Sequence, residues 1–363
     1  MHRLELLIQD VAFGGKGVGR AHGKALFVPF TIDGEHVIAR ITRDKKQFAE
    51  AELVEVAQAS PQRTTPKCPY FGRCGGCSYQ HIEYKHQLAL KERQVEQLLR
   101  RIGRFPSPPM QPIIPSPKSY NYRNRVTVHA ESGVIGYYRR DVHQLIDVEV
   151  CPIAVPEVNE KLSGLRARHP RDGHYTLRAH PPPRTFAQAN DGVAELLAQL
   201  VESFFPAGQR LLIDAYCGAG FFAKRLLKKF ERVIGIEWDR FAIAAAQNTA
   251  TPKEHYIVGD VDLELARELA SADLSNTSVV VDPPATGLNP NARQALLKHI
   301  VQTFVYVSCN PATLARDLKE LQQHYRIVSV TPLDMFPQTA EIECAVQLER
   351  ATAPHTIEQT TLG

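Results

Sequence analysis

The chain is 363 residues long and mildly basic, with 43 Lys+Arg against 39 Asp+Glu. That length admits two or three domains and at least one full apolar core. Seven cysteines, no apolar signal core in Met1 to Gly14 and no window near the length of a membrane span argue against a disulfide framework and a membrane partner, so a cytoplasmic protein using its thiols for metal binding or catalysis is expected.

Residues 4–57 read as short strands punctuated by glycine: Leu4 to Ile8, Gly14 to Arg20, Ala25 to Val28, His36 to Ile41 and Ala49 to Val56. Even spacing of this kind predicts a small five-stranded barrel, able to bind single-stranded nucleic acid or serving only as structure. Gly14, Gly15, Gly17 and Gly19 permit tight bends, with Lys16 and Arg20 decorating the loop. Ser60 to Pro66 reads as a linker. Cys68, Cys74 and Cys77 follow at C-x5-C-x2-C spacing, and Cys151 offers a fourth thiol. Four thiolates suit tetrahedral zinc or an iron–sulfur cluster; the spacing leaves both open, with free thiols as a third reading.

An amphipathic helix is predicted over His81 to Ile102, with Leu88, Val95, Leu98 and Leu99 at helical spacing. A proline-rich passage (Pro106 to Pro117) leads into a strand-rich section ending near Ile153. From Tyr120 to Arg184 the chain is rich in arginine and poor in acids. Arg123, Arg125, Arg139 and Arg140 are candidates for phosphate contacts, against the equal reading of a solvated face.

After Pro181-Pro-Pro183, strands alternate with helices from Gln209 onward, which predicts a parallel sheet covered on both faces. The strands are Leu211 to Tyr216, Arg232 to Trp238, His255 to Gly259, Ser278 to Asp282 and Thr303 to Ser308. Tyr325 to Pro332 and Glu341 to Leu348 should form an antiparallel hairpin at one edge. The expected division is 1–59, 60–184 and 185–363.

Four of these strands end on an acid: Asp214, Glu237, Asp260 and Asp282. Ligands of open α/β sheets bind outside the carboxyl ends of the strands, so the row defines a crevice. Gly218 and Gly220 let the backbone approach a ligand closely, and Glu237 suits a ribose with two free hydroxyls. The third glycine of the dinucleotide fingerprint and a Walker lysine are both missing. The set therefore suits S-adenosylmethionine, which carries no phosphate, better than a nucleotide. Each acid taken singly could equally be a helix cap.

Cys309 ends the strand before a Ser-Cys-Asn-Pro turn, facing the crevice; the bland alternative is a packing cysteine. In Glu341 to Leu348, alternation puts Ile342, Cys344, Val346 and Leu348 on one face and Glu341 and Glu343 on the other. A thiolate at a strand end, with a neighbouring carboxylate, suits addition to C6 of uracil followed by removal of the C5 proton.

Val307-Ser-Cys-Asn-Pro-Ala-Thr-Leu-Ala-Arg-Asp317 and Asp334-Met-Phe-Pro-Gln-Thr-Ala-Glu-Ile-Glu343 resemble the RNA uridine-C5 methyltransferase family, and the likeness runs through most of the chain. It implies Cys309 as nucleophile, Glu343 as general base, and Tyr216, Glu237, Asp260 and Asp282 at cofactor positions, beside the Asp214, Gly218 and Gly220 read above from the strand-end pattern. Phe186-Ala-Gln-Ala-Asn190 resembles a cofactor motif, which makes Gln188 a ligand of the methionine end. Residues 4–57 resemble the TRAM barrel. Cys-Gly-Gly-Cys with the later Cys-Pro implies a [4Fe–4S] cluster on Cys68, Cys74, Cys77 and Cys151. The implied fold is a Rossmann-like S-adenosylmethionine methyltransferase domain with a mixed seven-stranded sheet, an OB-like TRAM barrel and a central α+β domain bearing the cluster. Expected partners are RNA, with 23S ribosomal RNA favoured over transfer RNA, and no obligate protein, so a monomer. Ala285, Phe221, Gln338 and Glu341 depart from the family pattern. A cytidine-C5 methyltransferase and a non-catalytic iron–sulfur RNA-binding protein are the rival readings.

Overall fold

The computed structural model describes residues 3–140, 142–180 and 188–351. Arg184 and Phe186, with the Pro181 to Pro183 cluster, lie outside the described residues.

Strands β1 (Arg3–Val11), β2 (Lys16–Ala21), β3 (Lys24–Pro29), β4 (His36–Asp44) and β5 (Phe48–Gln58) close a barrel in the order β1-β2-β3-β5-β4. Leu6, Ile8, Leu26, Val28 and Val37 fill it. The glycine-rich run divides by role. Gly14 and Gly15 have φ of 91° and 88° and make the bend. Gly17 and Gly19 lie within β2, where a Cβ on Gly19 would stand 2.5 Å from Leu6 Cγ. Their absent side chains make room in the barrel rather than bends, a correction to the sequence reading.

Helix α1 (Tyr84–Arg101) opens on Glu83, whose carboxylate accepts from the N–H of His86. Its buried face carries Gln87, Lys91 and Gln94 beside Leu90, Val95 and Leu99. The predicted apolar stripe is thus half polar. The middle of the chain forms β6 (Arg125–Glu131), β7 (Val134–Tyr138), β8 (Leu145–Asp147), α2 (Pro156–Ala167) and β9 (Gly173–Arg178). The antiparallel order is β8-β7-β6-β9, so this unit runs past the predicted end near Ile153. Val126, Val128, Ala130 and Ile135 pack on Val158, Leu162 and Leu165 of α2. Burying each larger apolar side chain contributes about 1.5–3 kcal/mol.

The last unit comprises α3 (Asp191–Ser203), β10 (Gln209–Ala215), α4 (Phe221–Leu226), β11 (Phe230–Glu237), α5 (Arg240–Gln247), β12 (Glu254–Val258), α6 (Val261–Ser271), β13 (Thr277–Val281), α7 (Pro290–Lys298), β14 (Thr303–Ser308), α8 (Pro311–Leu321), β15 (Tyr325–Leu333) and β16 (Glu343–Arg350). Its seven-stranded order is β12-β11-β10-β13-β14-β16-β15, with β16 antiparallel to both neighbours. Alternation holds in β16: Cys344, Val346 and Leu348 join one core layer with Ile342, and Ala345 joins the other. The proline-rich passage lies along the edge of β15, where Gln111 N–H donates to Val330 O (2.8 Å) and Ile114 N–H to Pro332 O (2.9 Å). That covering leaves the edge strand no open ladder there. No helix among the described residues is long and apolar enough to cross a membrane.

Candidate active site

Chain register brings the two proposed chemical groups together. Ser308 of β14 pairs with Cys344 of β16, so the next positions are Cys309 and Glu343. Directly opposed antiparallel residues have Cα atoms on the order of 5 Å apart. Val281 of β13 pairs with Tyr306, which brings Asp282 to the adjoining strand end. The turn after Cys309 is held in place: Asn310 caps α8 through the N–H groups of Ala312 and Thr313. Asn310 Nδ2 (3.1 Å) and Thr313 Oγ1 (3.0 Å) also donate to the carbonyl of Ala285. The Ala285 departure therefore serves the turn through its backbone.

Electrostatics in this pocket favour protons. Burial first, then the charges of Glu343 and Asp282, pushes the Cys309 thiol up to about 12. Burial raises the Asp282 carboxyl to about 7. Glu343, only 3% exposed, is held well above the carboxylate range by burial and by Asp282 and Glu341. Like charges in a dry site cannot all ionise together. The pocket thus holds acids with proton affinities near or above neutrality, as proton-transfer chemistry requires.

The acid row is present at the strand ends, with divided roles. Asp214 is fully buried; one oxygen accepts from Ala223 N–H of α4 (2.7 Å), and the other has no hydrogen-bond partner among the described residues. Glu237 is held by backbone: Gly218 N–H donates to one oxygen (3.1 Å), Trp238 and Asp239 N–H to the other. Asp260 is exposed and caps α6 by accepting from the N–H groups of Asp262 and Leu263. Tyr216, at φ 64°, donates its hydroxyl to Asp262 (2.9 Å), a partner the sequence reading missed. Gly218 has φ 53° and open space where a Cβ would stand, whereas a Cβ on Gly220 would stand 2.6 Å from the Tyr256 hydroxyl. Phe221, Trp238, Phe241 and Leu263 are exposed apolar side chains at the starts of the following helices and turns. An orphaned buried carboxylate oxygen and an open glycine turn fit a polar cofactor with a flat ring. Gln188 is half-buried, its backbone carbonyl accepting from Asn124 Nδ2 (2.9 Å).

The loop between β15 and β16 is gripped from outside its own sheet. Lys91 of α1 pairs with Asp334 (2.6 Å), both side chains fully buried, and also donates to Phe336 O (3.1 Å). Tyr84 donates to Asp334 (2.8 Å) and Tyr122 to Pro337 O (3.0 Å). Gln338, at φ 69°, accepts on its carbonyl from Ser78 and Tyr79 N–H; its side-chain oxygen accepts from Gln87 Nε2, and its backbone N–H donates to Gln87 Oε1. This departure from the family pattern is therefore a cross-link between the cysteine segment, α1 and the loop. Glu341 is exposed and close enough to raise the proton affinity of Glu343.

Cys68, Cys74, Cys77 and Cys151 line one cavity of about 440 Å³. Among the described residues, no group of three or more His, Cys, Asp or Glu side chains is disposed to hold a metal ion. The four thiols line this space without standing as a metal-holding group, so neither zinc nor an iron–sulfur cluster is shown there. Burial and mutual charge push Cys77 up to about 12. Gln80 lies beside Cys68 and Cys77, and the Tyr137 hydroxyl beside Cys151. Yet Gln80 Nε2 and Tyr137 Oη have no hydrogen-bond partner among the described residues. Buried donors beside three of these thiols, Cys68, Cys77 and Cys151, fit an occupant rich in acceptor sulfur.

A profile of the tRNA (Uracil-5-)-methyltransferase family matches residues 174–351, and a TRAM-domain profile matches residues 2–54. A protein described as an uncharacterized RNA methyltransferase of Gloeobacter violaceus is 30% identical over 443 residues, spanning 95% of this chain and 96% of its own. Another so described, of Bdellovibrio bacteriovorus, is 30% identical over 375 residues and 95% of each chain. The crystal structure of Pyrococcus abyssi tRNA (uracil-54, C5)-methyltransferase in complex with S-adenosyl-L-homocysteine superposes with a TM-score of 0.70 at 22% identity, covering 95% of this chain and all of that one. At that identity the likeness is one of fold. The chain belongs to the tRNA (uracil-5-)-methyltransferase family of RNA methyltransferases, with a TRAM domain at its N-terminal end.

Proposed function

We propose that this enzyme methylates C5 of one uridine in structured RNA through a covalent adduct on Cys309. The observation that carries this reading is the register that sets Cys309 against Glu343, with Asp282 at the next strand end. S-adenosylmethionine supplies an electrophilic methyl group when bound. Asp214, Tyr216, Gly218, Gly220, Glu237, Asp260, Asp282 and Gln188 are the residues we assign to holding it. The Cys309 thiol gives up its proton to a carboxylate other than Glu343, Asp282 being the one at the adjoining strand end, and Sγ bonds to C6 of the uracil. The electron pair displaced from the C5=C6 bond makes C5 nucleophilic. Once C5 carries the methyl group, Glu343 takes the C5 proton, the Sγ–C6 bond breaks and the double bond returns.

The target base must leave its stack to reach this pocket. We assign RNA contacts to residues 1–59 and 60–184, Arg123, Arg125, Arg139 and Arg140 among them, and the chemistry to residues 185–363. The four-cysteine cavity is read as the seat of a [4Fe–4S] cluster on Cys68, Cys74, Cys77 and Cys151, whose sulfurs would accept from Gln80 and Tyr137. Methyl transfer needs no electron, so its role is structural. Of the RNA targets, 23S ribosomal RNA is the first to test and transfer RNA the second.

The test is trapping on RNA carrying 5-fluorouridine, in which the C5 substituent cannot leave as a proton. Wild type should form a denaturation-resistant adduct, and Cys309→Ala should form none. On ordinary RNA, Glu343→Gln should accumulate the methylated adduct that wild type resolves. An adduct surviving in Cys309→Ala, or no trapping with any cellular RNA, would overturn the assignment.

A further inference from the structure

We propose that the open face of the β8-β7-β6-β9 sheet is a stacking platform for unpaired RNA bases flanking the target uridine. The proposal rests on the RNA reading above and names a surface for it. One face of this sheet packs on α2, while the other presents Thr127, His129, Tyr138, His174 and Thr176. A solvated polar face is ordinary for an antiparallel sheet. This face differs because its rings form a continuous chain.

His174 and His129 are cross-strand partners with ring centroids 4.5 Å apart, and their Nδ1 atoms share a hydrogen bond of 2.7 Å. His129 lies 4.4 Å from the Tyr138 ring, and His143 from the next loop stacks on Tyr138 at 4.0 Å. The Tyr138 hydroxyl donates to Glu131 at the strand end, which holds the ring from its edge. Fixed rings lose little freedom when a base settles on them. Flat rings on an exposed sheet, interleaved with hydroxyls, are the chemistry that receives splayed RNA bases.

Charge and position point to the same occupant. Arg123, Arg125 and Arg178 stand together at the other end of this face, where burial first, and then the charges of Arg178 and Arg123, lower the proton affinity of Arg125. The Arg123 guanidinium lies 5.8 Å over the ring of Phe336, in the loop that leads to Glu343. From Arg123 to His129 the strand runs on the order of 20 Å. A single strand leading away from the active site thus meets arginines first and rings next.

The experiment uses the full chain and a fluorescein-labelled single-stranded oligouridylate, with a blunt RNA duplex as comparison. Tyr138→Ala and His174→Ala should each weaken single-strand binding on the order of 10- to 100-fold. Tyr138→Phe should bind like wild type, because stacking survives loss of the hydroxyl. The salt dependence should keep its slope in Tyr138→Ala, whereas Arg178→Ala should flatten it by about 0.7, one phosphate contact. S-adenosylmethionine binding should be unchanged in all four variants, which separates lost stacking from misfolding. Wild-type affinity in both alanine variants would overturn the platform. So would equal weakening toward duplex RNA, or Tyr138→Phe behaving like Tyr138→Ala. Failure of wild type to methylate any RNA would instead overturn the function proposed above, which these binding measurements do not touch.

Discussion

Cys309, the residue we propose as the nucleophile, is kept protonated by its own surroundings. Its thiol has been pushed up to about 12, mostly by burial and then by the charges of Glu343, Asp282 and Glu341. Only the thiolate attacks, so at pH 7 the resting residue is weakly reactive toward stray electrophiles. Alkylation of Cys309 by iodoacetamide, read on its peptide by mass spectrometry, should therefore be slow at neutral pH. It should rise about tenfold per pH unit and still be climbing at alkaline pH. The sign for Glu343→Gln follows from removing a neighbouring anion. The thiolate becomes cheaper to form, so the rise moves to lower pH while methyl transfer fails for want of a base. An unmoved profile in Glu343→Gln would contradict the coupling between the two residues.

The β15–β16 loop sets where Glu343 stands, and α1 sets the loop. Lys91 and Asp334 are both fully buried, so removing one leaves the other charged and unpaired, which costs about 3–5 kcal/mol. Lys91→Met should lower thermal stability by that order. Lys91→Met with Asp334→Leu should recover most of the stability, because an apolar pair of similar volume packs as well. Methyl transfer should stay low in the double variant, since the anchors to Phe336 O and Tyr84 are lost with the charges. Recovery of stability and activity together would show that the pair only packs. The strands of this unit were legible because each follows from local pattern, β-branched runs and alternation in β16, whereas the pairing of Cys309 with Glu343 rests on the family resemblance and not on local pattern alone. The polar face of α1 was not legible. Gln87 and Lys91 break an apolar stripe for partners that lie 251 and 243 residues away, and no local period announces a partner at that distance. The glycines of β2 were misread for a related reason, since close approach to Leu6 arises only once the barrel has closed.

Across the whole molecule, the barrel is not an appended module. Val11 and Ile32 of the barrel region share one small core with Tyr79 and Ile82 of the cysteine segment, Leu90 of α1 and Ala340 of the β15–β16 loop. Polar ties run beside it: Arg63 reaches the buried Glu35 carboxylate (2.5 Å), and Arg93 reaches Asp10 (2.7 Å) and Asp33 (3.3 Å). Gln94 donates to Val11 O (2.7 Å) and to the Tyr79 hydroxyl (3.0 Å). A cavity in that shared core should be felt at the catalytic loop as well as in the barrel. Ile32→Ala should cost about 2–5 kcal/mol, and the loss should appear in one cooperative transition seen alike by circular dichroism and by residual methyl transfer. It should also lower the rate on a short RNA too small to touch the barrel, because Ala340 sits three residues before Glu343. Two separate transitions, with methyl transfer persisting after the barrel has melted, would show that the barrel only recruits RNA. A single transition would mean that the barrel, the cysteine segment and the catalytic loop hold one another in place.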